Sequence, residues 1–309
     1  GCLSLQSGEL LCWGDGDIKK LGTLATTDVT QPISINLNSN SVYSVATATS
    51  HTCSLMDTGK VYCWGEGEFG RLGLNSETDT PTPSEVIFPN HRNVEMLATQ
   101  DTHNCALTDD GMVWCWGYNN AGQLGLGDTN NRNQPQEIPL PTDRLGTAIS
   151  VGNGFSCLVL DNGSVSCWGL NNLGQLGNGN LTNTTQPGLV NLATIGLNAV
   201  TVSSGDSHSC AILVDGQVAC WGRNNLGQLG DSSLNDKSNP VIAQLPSSKR
   251  AVMIEAGISH TCAIMDDGSM YCWGLNANGQ LNDGTTIVST IPVQSLLPTG
   301  TSAVIVSTG

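Results

Sequence analysis

Cysteine is the residue in this chain best able to do covalent chemistry, and its spacing is regular. All twelve cysteines fall in six pairs ten residues apart: Cys2 and Cys12, Cys53 and Cys63, Cys105 and Cys115, Cys157 and Cys167, Cys210 and Cys220, and Cys262 and Cys272. Paired thiols bind a metal or oxidise to disulfides, and a ten-residue separation matches no common zinc spacing. The second cysteine always opens Cys-Trp-Gly. A glycine always stands six residues after the first, at Gly8, Gly59, Gly111, Gly163, Gly216 and Gly268. A three-residue loop ending in glycine suits a type I turn closed by a left-handed residue. That register places the two thiols opposite each other, on one face of neighbouring strands. Six cross-strand disulfides are expected, and with them an oxidising compartment: extracellular or at the cell surface. Closing a loop of roughly eleven residues is worth about 2.7 kcal/mol in the chain-entropy account. The other reading, buried free cysteines in a cytosolic protein, stays open at this point.

Titratable residues offer less. His51, His103, His208 and His260 each stand two residues before a first cysteine, and Phe155 takes that place in the fourth repeat. A converging metal site is one reading. A structural histidine bonding a neighbouring backbone is the other, and Phe155 favours it. The sequence contains no Gly-x-Ser-x-Gly, no His-Glu-x-x-His and no phosphate loop. Asp109-Asp110 and Asp266-Asp267 sit in equivalent hairpin turns, where turn chemistry explains them. No catalytic residue, metal site or cofactor is expected. One departure from the repeat does stand out. The loop after Trp13 carries Asp15 and Asp17 and then reads Ile18-Lys19-Lys20, and the loop after Trp64 carries Glu66, Glu68 and Phe69 beside Arg71. Adjacent repeats should cluster these acids, so Asp15, Asp17, Glu66, Glu68 and Phe69 form a candidate binding patch. Asn162, Asn180 and Asn183 open glycosylation sequons.

Positioning these residues falls to a repeat. The first cysteines lie 51, 52, 52, 53 and 52 residues apart, so each unit of about 52 residues is one supersecondary module. The second repeat reads as short β-runs, Val42–Ala46, His51–Leu55, Val61–Gly65 and Ser84–Phe88, broken by Gly, Asp, Asn and Pro. Four short strands per repeat make a propeller blade. The fold class expected is all-β, a six-bladed β-propeller filling residues 1–309 as one domain. Leu55 and Val61 should share the cysteine face, with Tyr62 and Trp64 on the other. Trp13, Trp64, Trp116, Trp168, Trp221 and Trp273 should lie buried between blades. After each Trp, a loop such as Asn171-Asn172-Leu173-Gly174-Gln175-Leu176-Gly177 reads as fixed geometry. The tail Ala303–Gly309 matches Ala251–Gly257, so Val304–Val306 is expected to supply the strand that the first blade lacks. The match leaves about three residues missing at the join, as in a segment of a longer chain.

His-x-Cys-x-Leu, Gly-x-Val-x-Cys-Trp-Gly and Asn-x-x-Gly-Gln-Leu-Gly, repeated along the whole chain, resemble the repeat of the regulator of chromosome condensation family. Beta-lactamase inhibitory protein II is similar in architecture. The resemblance implies radial four-stranded blades, seven in the best-known members against six copies here. It also implies chromatin binding and nucleotide exchange on a small GTPase, but net charge is −15 with eleven Lys and Arg. A nucleic-acid partner needs a basic footprint, so neither property is carried over. No apolar run is long enough to span a membrane. The function expected is a secreted or surface-displayed, non-catalytic propeller that binds a protein or assembles into an extracellular structure. A carbohydrate-binding propeller is the alternative. It needs exposed aromatics at loop positions, and Phe69 and Tyr118 are the two that qualify.

Overall fold

The computed structural model describes residues 1–17, 20–24, 27–37, 41–141 and 143–308, with His91 described by its backbone alone. The chain divides into two compact units, Gly1–Ile149 and Ser150–Gly309. The first unit opens with a three-stranded sheet, β1 (Cys2–Ser4), β2 (Leu10–Gly14) and β3 (Val29–Ile35). Two four-stranded sheets follow: β4 (Val42–Thr47), β5 (His51–Met56), β6 (Val61–Gly65) and β7 (Thr80–Val86), then β8 (Val94–Thr99), β9 (His103–Thr108), β10 (Val113–Gly117) and β11 (Arg132–Glu137). The fourth sheet begins with β12 (Gly146–Gly152), inside which the division falls, and continues with β13 (Phe155–Leu160), β14 (Val165–Gly169) and β15 (Thr184–Leu189). The second unit ends with β16 (Ala199–Ser204), β17 (His208–Leu213), β18 (Val218–Gly222) and β19 (Lys237–Ile242), then β20 (Ala251–Ala256), β21 (His260–Met265), β22 (Met270–Gly274) and β23 (Ser289–Gln294). Each sheet is an antiparallel meander in chain order, the form of a propeller blade.

The hairpin that carries each cysteine pair is the one its glycine dictates. Gly59 has a φ of 76°, and its N–H donates to the Met56 carbonyl at 2.9 Å. A Cβ there would stand 2.6 Å from that of Asn93. The Gly59 carbonyl accepts the N–H of Val94, the first residue of the next sheet. The same bond joins Val42 to Gly8, Gly146 to Gly111, Ala199 to Gly163, Ala251 to Gly216 and Ala303 to Gly268. One glycine per repeat therefore closes a hairpin and starts the following blade.

All six expected disulfides form. Cys2 bonds Cys12, Cys53 bonds Cys63 and Cys105 bonds Cys115. Cys157 bonds Cys167, Cys210 bonds Cys220 and Cys262 bonds Cys272. In every case the two residues are direct partners in the strand register, as the turn glycine requires. No cysteine is left free, so the reading of buried thiols falls away.

β5 and β6 are buried on both faces. Cys53, Leu55, Val61 and Cys63 pack against Trp114 and Trp116 of the third sheet, while Tyr62 and Trp64 pack on Leu10, Cys12 and Ile35 of the first. In the second unit Cys210, Ile212, Val218 and Cys220 meet Tyr271 and Trp273. The disulfide face of one blade thus meets the tryptophan face of the next. Trp64, Trp116, Trp168, Trp221 and Trp273 are fully buried. Trp13 departs from the expectation and is half-buried, because its unit has no earlier sheet to cover it.

The outer strands share a proline at their fourth residue: Pro32, Pro83, Pro135, Pro187, Pro240 and Pro292. In β7 it lies within a bulge, where the register jumps from Gly65 opposite Thr80 to Cys63 opposite Ser84. A proline there removes a donor from an edge that could otherwise pair with another chain. The C-terminal tail begins as a first strand does, with the Ala303 bond and with Val306 packed on Cys262, Cys272 and Leu281. Among the described residues, however, the expected strand at Val304–Val306 does not form, and the first sheet has three strands. Val304 and Ile305 stand exposed. Gly309, the end of the matched tail, lies outside the described residues.

Candidate functional site

The loops after the repeated tryptophans come in two chemical forms. In the third to sixth blades the third residue after Trp is a fully buried asparagine: Asn119, Asn171, Asn224 or Asn276. Asn171 shows how its amide is used. Its Oδ1 accepts the Leu176 N–H at 3.0 Å, and its Nδ2 donates to the carbonyls of Asn180 and Thr182, each at 3.1 Å. Gln175 Oε1 accepts the Leu173 N–H at 2.8 Å. These amides hold the loop shut, and buried polar groups so satisfied are unavailable to a ligand.

The first two blades replace that neutral scheme. Gly16 and Gly67 stand where the asparagine would be, and Lys20 and Arg71 where the glutamine would be. Asp15 and Glu66 occupy the second place after Trp. Lys20 Nζ donates to Asp15 at 2.6 Å and to the Thr49 carbonyl at 3.2 Å. The Lys20 hydrogen bond, followed by the Asp17 N–H, holds the Asp15 carboxyl below the usual carboxylate range. Arg71 is buried at 5% exposure. It donates to Glu66 and to Ser50 Oγ, both at 2.5 Å, and lies 3.6 Å from Glu68. Thr49 in turn donates through its N–H to Asp101 at 3.1 Å. Asp15 and Glu66 are therefore gathered on either side of the Thr49–Ser50 turn, each carboxylate paired with its own loop's base. Asp17 is exposed, and Ile18 and Lys19 lie outside the described residues.

Phe69 is the unusual member. Its φ of 60° puts a bulky side chain in left-handed backbone, which is rarely populated by such residues. Its ring lies 4.4 Å from that of Tyr118, tilted by 37°, with the Arg71 guanidinium 5.6 Å from its centroid. Both rings are half-buried, so the pair presents an aromatic edge to solvent beside exposed Glu68. Sequence reasoning found Phe69 and the acids but not the roles of Lys20, Arg71, Thr49 and Asp101. The available signal was the exchange of glutamine for a base, coupled to the exchange of a neutral residue for an acid five positions earlier.

Two of the histidines make structural bonds, to side chains and not to the backbone groups expected. His51 Nε2 bonds Asn104 Oδ1 at 3.0 Å, and His208 Nε2 bonds Thr261 Oγ1 at 2.8 Å, in each case a side chain of the following blade. Burial pushes their pKa values down, to about 4 for His51 and about 3 for His208. Among the described residues no group of three or more His, Cys, Asp or Glu could hold a metal ion. Asp110 and Asp267 serve their turns, accepting from Met112 and Ser269 N–H groups. Asn162, Asn180 and Asn183 are all exposed. Among the described residues no helix is long and apolar enough to cross a membrane.

The RCC1-like domain matches residues 2–309. The chain belongs to the RCC1-like domain family. The ultraviolet-B receptor UVR8 of Arabidopsis thaliana is 32% identical over 310 residues, covering 99% of this chain and 70% of that protein. Among solved structures, human WBSCR16 superposes with a TM-score of 0.89 at 21% identity, covering all of this chain and 81% of that one. Prp20p from Saccharomyces cerevisiae, which binds Gsp1p and histones, gives 0.86 at 21% identity, covering 100% and 78%. The ectodomain of the Arabidopsis thaliana receptor kinase ACR4 gives 0.54 at 20% identity, covering 96% and 80%. With one sheet per repeat, the chain is an RCC1-like β-propeller of six blades.

Proposed function

We propose that this RCC1-like propeller is a non-catalytic binding module, secreted or displayed at the cell surface, which engages a protein partner or joins an extracellular assembly. The observation that carries the reading is the rim of the first two blades. There the amide-locked loop gives way to charged pairs, and a strained Phe69 is held beside Tyr118. Backbone strain of this kind costs of order 1–3 kcal/mol and gathers at ligand clamps and active sites. A half-buried aromatic flanked by desolvated Arg71 has the composition of a binding hot spot. Partner binding by Prp20p supports the protein-binding part of the reading. Use of every cysteine in a disulfide supports the oxidising compartment. In such a compartment exposed Asn162, Asn180 and Asn183 would be open to glycosylation.

The Phe69–Tyr118 pair also favours the second reading, a carbohydrate ligand stacking on the rings. One experiment separates the two. The disulfide-bonded protein and its Phe69→Ala and Glu68→Lys variants are presented to a library of displayed extracellular protein domains and to a glycan array. A protein ligand lost in both variants supports the leading reading. A glycan lost with Phe69→Ala alone supports the second. Ligands retained by both variants would remove the rim from the argument.

A further inference from the structure

The first unit contains a second surface, away from this rim, that the binding-rim reading does not use. Between the hairpin turn of the second blade and the first strand of the third lies an open groove of about 610 Å³. Its apolar lining is the exposed Met96, over buried Met56 and Val94. Its walls carry exposed Tyr43 and the carboxylates of Asp57, Glu95 and Asp109. Among the described residues no base lines it. The nearby bases are already engaged, Lys60 with Glu85 and Arg92 with Asp110. Among the described residues none of the three groove carboxylates is in an ion pair, and Asp109 accepts one neutral hydrogen bond, from Asn93 at 3.2 Å.

The repeat shows that the fold does not require this chemistry. Counted from the cysteines, the places of Tyr43, Asp57 and Glu95 are taken in the fifth and sixth blades by Val200, Val214 and Val252, all exposed. The same backbone geometry therefore accepts three valines where the first unit has an aromatic and two acids.

We propose that this groove docks an arginine- or lysine-bearing segment of a partner protein. The aliphatic stem of such a side chain would cover Met96. Its cation would meet three unpaired carboxylates and the face of Tyr43. Charge complementarity selects this occupant, because an acidic or purely apolar segment would leave the carboxylates desolvated and unpaired. The inference rests on the reading of the chain as a protein-binding module and adds the partner's chemistry at a different site.

The test uses the disulfide-bonded protein and a capped Ala-Arg-Ala-Arg-Ala peptide, titrated calorimetrically at low and at physiological salt. Binding that weakens about tenfold in the Asp57→Asn/Glu95→Gln/Asp109→Asn variant, and about threefold in Tyr43→Ala, is expected. Glu77→Gln, an exposed acid elsewhere in the same unit, should bind as the parent does. Equal loss in Glu77→Gln would reduce the effect to overall charge and overturn the proposal. Unchanged affinity in the triple variant would do the same. So would spermine bound as tightly as the peptide, since a small polycation would then suffice. Near-ultraviolet circular dichroism checks folding, and Glu95→Lys, a single change at an exposed position, replaces the triple variant if that misfolds. The probe is synthetic, so failure here leaves the rim at Phe69 untouched.

Discussion

Phe69 is held in left-handed backbone while its ring is fixed between Tyr118 and the Arg71 guanidinium. The two contributions can be separated by substitution. Phe69→Ala and Phe69→Gly both remove the ring, losing about 0.5–1.5 kcal/mol of aromatic contact. Only glycine also relieves the positive φ, worth about 1 kcal/mol. Urea denaturation should therefore find the glycine variant about 1 kcal/mol more stable than the alanine variant. Equal stabilities would show that the loop relaxes and that no strain was held there. Neither the conformation nor the Tyr118 contact was legible in the sequence. The six loops have matched lengths, and a left-handed phenylalanine is set by what surrounds it, not by its own preference. The acids were legible because they broke a repeated pattern. The bases that neutralise them were not, because pairing depends on which way Lys20 and Arg71 turn.

Within each unit, neighbouring blades are tied by polar bonds that run between elements. Trp64, Trp116, Trp221 and Trp273 donate their indole N–H groups to the carbonyls of Lys20, Arg71, Gln175 and Gln228 in the preceding blade. Buried His51 and His208 bond the following one. An imidazole that titrates near 6.5 when unfolded and near 3 or 4 when folded leaves the unfolded state with more bound protons in between. Stability contributed by these ties is thus complete above pH 6.5 and is lost as pH falls towards 4. Glu255, on β20, runs the opposite way. Burial pushes its pKa up from 4.5 to about 7, so its folded form keeps a proton through that window and loses stability as pH rises. Urea midpoints measured across roughly pH 4 to 8 should show both slopes. His208→Phe, which copies the natural Phe155, should flatten the acid side. Glu255→Gln should gain about 2 kcal/mol near neutrality and almost nothing near pH 4. An unchanged profile in either variant would remove that group as its cause. At this scale the sequence was most informative. Period-two alternation and the turn glycine set the cysteine register, and both faces of Val61–Gly65 followed from it. The histidine partners were hidden, because Asn104 and Thr261 lie one whole repeat away and only packing brings them close.

Over the whole chain, a proline in every outer strand discourages the edge pairing by which repeat proteins aggregate, which leaves loops rather than edges as contact surfaces. A net charge of −15 adds solubility to that protection. The six disulfides have a further, mechanical consequence. Each one lies within a single hairpin, and none joins one blade to another. They therefore do not hold blades together against a pull. What they do is withhold length. Residues between Cys53 and Cys63 cannot be drawn out while the bond persists, and at about 3.5 Å per residue that hides roughly 35 Å of extension in each blade. A molecule tethered by its two ends should give up its blades under load yet stop short, and should lengthen by six such increments when a reductant is added. Single-molecule pulling reads this directly, and equal extensions with and without reductant would contradict the pairing. Under tension the bonds would act as stops on how far each blade can be drawn, keeping its Cys-Trp-Gly hairpin short enough to find its neighbours again once the load is released.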